Sequence, residues 1–203
     1  MNNIVIVSYD CDELGDYFKL CNIDLQQYIS DNHIEIDVHC EHDNCNRENL
    51  HSKLIEFTDN YIISIYAHGE NNRIKNNKKE DLINMDDAKS HYHNAIVYST
   101  SCFTANELGV EMHNYGCKFF FGYKAKSYLS LNHKSDFIEM DNYTLRLILD
   151  EKTIDGRVLY EKTDKYFIAK LNELRVINPL LAPLIMHNRE SFVIYHNRKE
   201  YPS

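Results

Sequence analysis

The chain has 203 residues, enough for one domain with a substantial core, and its 43% hydrophobic and 26% charged residues are ordinary for a globular protein. Its 22 Lys and Arg against 31 Asp and Glu give a net charge of −9, which argues against the basic footprint of a nucleic-acid binder. No apolar run approaches the roughly 18 residues needed to span a membrane.

The chain opens directly into Ile4-Val5-Ile6-Val7 with no basic n-region, so no secretory signal is expected. Six cysteines in that setting read as reduced thiols of a cytoplasmic protein, not as a disulfide framework. Ile4 to Ser8 reads as a buried strand. Leu14, Tyr17, Phe18, Cys21, Leu25, Tyr28 and Ile29 then recur at helical spacing, with Asp12 as a cap. Ile34, Ile36, Val38 and Cys40 alternate as a second strand, and Leu50, Leu54, Ile55 and Phe57 mark a second helix. A third strand, Tyr61 to Ala67, ends in His68-Gly69. This β-α-β-α-β alternation implies a parallel sheet with helices on both faces.

Glu70 to Glu80 is polar, carries Arg73, Lys75, Lys78 and Lys79, and reads as an exposed loop. A short helix is expected around Met85 to Tyr92, with His91 and His93 at its exposed end. Ala95 to Tyr98 is a further buried strand, and Thr104-Ala105-Asn106-Glu107 fits a capping box that would start a helix just after it. That helix should stop at Gly116. Cys117 to Phe121 reads as the next strand, Tyr123 to Lys134 as an active-edge loop, and Phe137 to Leu147 as a helix. Another helix is expected over roughly Asp155 to Leu174. Pro179 and Pro183 punctuate a turn-rich stretch, and Phe192 to Tyr195 forms a late strand.

Cys102 therefore falls at the carboxyl end of one strand and His68 at the end of another, where an open α/β sheet places its chemistry. A thiol near its ordinary pKa of ~8.5 needs a base or a positive field to become a nucleophile. His68 supplies the base, and a helix N-terminus beside Cys102 would favour the thiolate. The backbone N–H groups of Gly69 and Cys102 are candidates for stabilising an oxyanion, since Gly permits close approach. A second cluster, His39-Cys40-Glu41-His42-Asp43-Asn44-Cys45, has ligand types suited to zinc. Its spacing matches no standard pattern, so it reads as a polar β-α loop, and no metal or cofactor is expected.

Ser64-Ile65-Tyr66-Ala67-His68-Gly69 and Ile96-Val97-Tyr98-Ser99-Thr100-Ser101-Cys102 resemble the strand-His-Gly and strand-Cys segments of caspase-like (clan CD) cysteine peptidases. The likeness is to the bacterial caspase-like and CHAT forms related to separase. It continues through Asn106-Glu107-Leu108-Gly109, Gly116 to Gly122, Phe137 to Leu149, and the closing Ile185-Met186-His187-Asn188 and Phe192-Val193-Ile194-Tyr195. The His68-to-Cys102 separation is shorter than the roughly 50 residues of caspases, and Thr100-Ser101-Cys102 replaces their Gln-Ala-Cys.

The resemblance implies a three-layer sandwich on a mostly parallel central sheet, with Cys102 as nucleophile and His68 as its partner. It also implies a protein or peptide substrate, such as a gasdermin-like pore former in a bacterial immune or cell-death circuit. In separase-like relatives an acidic residue in the segment matched by Asp136 receives a basic P1 side chain, which would make the basic loop residues candidate self-cleavage sites. A catalytically silent interaction module of the same fold is the alternative.

Overall fold

The computed structural model describes residues 3–9, 12–41, 46–57, 60–76, 79–151, 155–197 and 199–202. Five strands run parallel: β1 (Asn3–Ser8), β2 (Asp37–Glu41), β3 (Tyr61–Tyr66), β7 (Ile96–Ser99) and β8 (Phe119–Tyr123). Two more, β9 (Phe192–His196) and β10 (Lys199–Tyr201), close one edge antiparallel, giving the order β10-β9-β8-β7-β3-β1-β2. The chain leaves β1 for β2 on one side and returns to β3 on the other, so the strand order reverses at β1. An open parallel sheet forms its ligand crevice at such a point.

Side-chain alternation sorts the helices onto two faces. Tyr66, Tyr98, Tyr123 and Phe192 point to one face, against α1 (Gly15–Asp31), α5 (Lys134–Asp150) and α6 (Gly156–Ile177). The Tyr66 hydroxyl donates to Asn142 Oδ1 at 2.5 Å, and the Tyr98 hydroxyl to the Asp141 carbonyl at 2.5 Å. Tyr61, Phe120 and Tyr195 point to the other face, where α4 (Leu108–Asn114) and the turn after α3 (Met85–Ala88) lie, with α2 (Arg47–Ile55) bonded to α3. Three layers result, as expected for an α/β sandwich with a mostly parallel sheet. Among the described residues no helix is long and apolar enough to cross a membrane.

Four local expectations need correction. The stretch after Gly69 is a small antiparallel sheet of β4 (Gly69–Glu70), β5 (Arg73–Lys75) and β6 (Asp81–Asn84), because Ile74, Leu82 and Ile83 are fully buried between its charged residues. The helix after β6 lasts only from Met85 to Ala88. The expected capping box does not form: Thr104 Oγ1 donates back to the Ser101 carbonyl at 3.0 Å, and α4 begins four residues later, at Leu108. The proline-rich stretch holds a 3₁₀ turn (Pro179–Leu181) and a helix, α7 (Ala182–Ser191). Both prolines sit in first-turn positions, where no intrahelical N–H bond is required.

Candidate active site

Thr100 N–H donates to the Ile65 carbonyl at 3.1 Å, so the β3–β7 pairing continues past the end of β7. Thr100 and Ser101 are buried, and the chain then turns sharply, with Phe103 at φ 64°. A bulky residue in that left-handed region costs on the order of 1–2 kcal/mol. Phe103 is held there by its N–H bond to the Ala125 carbonyl at 3.1 Å. Cys102 therefore occupies the apex of a strained strand-to-turn elbow.

The His68-Gly69 strand end meets this elbow directly. A Cβ added at Gly69 would stand 2.6 Å from the Cys102 carbonyl oxygen, 2.6 Å from Thr104 Cγ2 and 2.8 Å from Ser101 Cβ, so only glycine fits. His68 is fixed from the far side. Its Nε2 lies 2.6 Å from Asp12 Oδ2, and the rings of Tyr9 and Phe18 meet the imidazole edge-on at 4.8 and 5.6 Å. A carboxylate can only accept, so Nε2 carries the proton and Nδ1 is left as the basic nitrogen. Asp12 follows β1, His68 follows β3 and Cys102 follows β7, so three neighbouring strand ends supply the cluster.

Cys102 is half-buried, and its sulfur accepts the Ser127 N–H at 3.3 Å. Burial pushes the thiol above its ordinary value, while the Ser127 amide and the Lys126 charge pull the other way. The expected help from a helix N-terminus is absent, because α4 starts six residues beyond Cys102 and is one short helix of seven residues. The thiol is thus protonated at rest and depends on a base.

The loop carrying Ser127 is clamped by α7. Lys124 N–H donates to the Ser191 carbonyl at 2.8 Å, and His187 Nε2 donates to the Lys126 carbonyl at 2.9 Å. Buried Asn188 accepts the Tyr128 N–H at 2.8 Å and donates to the Tyr128 carbonyl at 2.7 Å, mimicking a strand neighbour. Asn106 joins the opposite side, donating to the Lys124 carbonyl at 2.9 Å.

Asp136 lies in the first turn of α5, with Lys170 of α6 at 3.7 Å and His133 at 3.8 Å. Lys170 also meets Glu139 at 2.7 Å and Glu173 at 3.6 Å. None of the contacts that build the Cys102 cluster includes Asp136. Of the cysteine-rich stretch, residues 42–45 lie outside the described residues, and His39 Nε2 is 3.2 Å from Asn3 Oδ1 with its ring against Phe57.

Asp12 and Ser127 are the participants whose roles sequence reasoning misses. Asp12 reads as a helix cap and does accept the Leu14 N–H at 2.9 Å, with the other oxygen left for His68. Ser127 contributes only main chain, which no side-chain pattern marks. Beneath the site, Asp141 is buried and accepts from the hydroxyls of Tyr17 at 2.6 Å and Tyr123 at 3.5 Å. Burial pushes its carboxyl up to about 6.

No protein-family model matches this sequence, and no curated protein matches it. Among solved structures, the chain is similar to a secreted C11 cysteine protease from Bacteroides thetaiotaomicron, determined in complex with an irreversible peptide inhibitor. The TM-score is 0.47 and the sequence identity 12%, over 71% of this chain and 58% of that one.

Proposed function

We propose that the chain is a cysteine endopeptidase acting through Cys102 and His68. The observation that carries the reading is the meeting of the two strand ends, with Gly69 against the Cys102 carbonyl and His68 oriented by Asp12. His68 Nδ1 takes the Cys102 proton and the thiolate attacks the peptide carbonyl carbon. The tetrahedral oxyanion is stabilised by the N–H groups of Gly69 and Cys102. His68 then returns its proton to the leaving amine as the C–N bond breaks, leaving a thioester. Water, deprotonated by His68, attacks the thioester and releases the acid, restoring the thiol.

Cys21, Cys102 and Cys117 carry free thiols, which suits a reducing cytoplasmic setting. Extended by the sequence resemblance, the substrate is a protein partner such as a gasdermin-type pore former in a bacterial defence circuit. For P1 recognition the same resemblance offers Asp136, whose carboxylate would have to exchange Lys170 for a P1 guanidinium.

The test uses a thiol-reactive peptide probe and matched peptides differing only at P1. Wild type should be labelled at Cys102 and should turn over an arginine peptide. Folded Cys102→Ala and His68→Ala should each lose turnover, and Asp136→Asn should lose the arginine preference. A folded wild type that is neither labelled nor active across a peptide library would instead indicate the silent interaction module. An arginine preference unchanged in Asp136→Asn would remove Asp136 alone.

A further inference from the structure

At the opposite end of the parallel strands from Cys102, three side chains with metal-ligand chemistry converge: His51 from α2, Asp87 from α3 and His91 from the turn that follows. The end of the sheet is fixed by Tyr61, the first residue of β3, whose hydroxyl donates to the His91 carbonyl at 2.6 Å. One ligand atom from each of the three lies within 4.8 Å of the others. From this convergence we infer that His51, Asp87 and His91 bind a divalent cation of the zinc class.

Four features support the site. First, the His51 ring is 12% exposed, and its buried Nε2 has no hydrogen-bond partner. Its Nδ1 stands 3.6 Å from Asp87 Oδ1, too far for a hydrogen bond. Two ligands each ~2.0–2.2 Å from one zinc ion would stand about that far apart. Second, the His51 and His91 rings stack at 4.3 Å with 21° between their planes, which keeps the two imidazoles side by side at the cluster.

Third, the carboxylate is held in place by its own partners. Arg47 grips it through Nη2 at 2.7 Å and Nε at 3.0 and 3.1 Å, and the Asn84 N–H reaches Oδ2 at 2.8 Å. Such outer contacts orient a metal-binding carboxylate. Fourth, the cluster lines an opening of about 420 Å³ in which Glu48 and Asp86 offset the Arg47 charge. That opening gives a cation an entry path and leaves room for water as a fourth ligand. Two imidazoles and one carboxylate are the donor set that zinc accepts tetrahedrally, whereas magnesium and calcium prefer oxygen. Bound there, the ion would tie α2 to the turn after α3, a structural role remote from the dyad.

The test uses the full chain as Cys102→Ala, which removes thiol competition at the elbow, stripped with a chelator and titrated with zinc or cobalt alone. One equivalent should bind and raise the melting temperature. Cobalt should give visible tetrahedral bands without a thiolate charge-transfer band in the near ultraviolet. His51→Asn and His91→Asn should each weaken binding tenfold or more while melting close to the apo parent. No binding by the folded parent would overturn the inference, leaving the Arg47–Asp87 ion pair and stacked histidines as a metal-free brace. A thiolate band with affinity unchanged in both histidine variants would also overturn it, by locating the metal at the remaining cysteines.

Discussion

Asp12 serves two neighbours with one carboxylate: Oδ1 anchors the entry to α1 through Leu14, and Oδ2 sets the tautomer of His68. Both Asp12 and His68 are about a third exposed, so water weakens the pair, and its main effect is on orientation. Asp12→Ala should therefore lower kcat about tenfold, or ~1.4 kcal/mol of barrier, with KM little changed. Asp12→Asn keeps an acceptor oxygen and should restore most of the loss. Steady-state kinetics on both variants would check this, and equal rates in wild type and Asp12→Ala would remove Asp12 from the machinery. His68 and Cys102 are legible in the sequence because each ends an apolar run. The Asp12 role is not, since it requires knowing that β1 and β3 are neighbours.

At the scale of elements, the wall beside Cys102 is a loop held by a helix. Asn188 satisfies both backbone groups of Tyr128, and Asn188→Ala would remove both hydrogen bonds, at a cost of roughly 0.5–1.5 kcal/mol each. The Ser127 N–H would no longer be held at the sulfur. The expected outcome is a lower denaturation midpoint together with a larger loss of turnover than stability alone explains. Urea melts and kinetics on the same sample measure the two effects. The strands read well from sequence because Tyr61–Tyr66 and Ile96–Ser99 are buried on both sides. The β4–β6 sheet reads poorly because its short strands bury few residues among charges: none in β4, one in β5 and two in β6. Thr104 fails as a cap because tertiary contacts claim the same groups: its hydroxyl bonds Ser101, and the Glu107 N–H goes to the Asn71 carbonyl at 3.2 Å.

For the whole molecule, the core contains a buried carboxyl with a pH cost. Asp141 is raised from 3.8 to about 6 by burial, so between those values the folded protein holds a proton that the unfolded chain has released. Its contribution to stability is fully present below pH ~4 and is lost as pH rises through about 6. Asp141→Asn keeps an acceptor for the Tyr17 hydroxyl and has no charge to bury. Its stability relative to wild type should improve between pH 4.5 and pH 7 by on the order of 2 kcal/mol. Denaturant titrations at the two pH values would show this, and a difference that does not change with pH would contradict it. The α/β class and the parallel sheet are legible from the alternation of apolar runs. The antiparallel closure by β9 and β10 is not, because strand direction leaves no mark in a short apolar segment.

The clamp on the Ser127 loop also has a consequence for the order of synthesis. Both proposed dyad residues and the loop emerge from the ribosome well before Asn188 and Ser191, which hold that loop in place. A nascent chain that has reached Glu151 has β3, β7 and β8, yet β8 has no β9 beside it and presents Phe119-Phe120-Phe121 on an open edge. Such an edge invites pairing with other chains. The later segment through β9 therefore both covers that edge and completes the wall beside the sulfur, so the thiol gains its full surroundings only once β9 has been made.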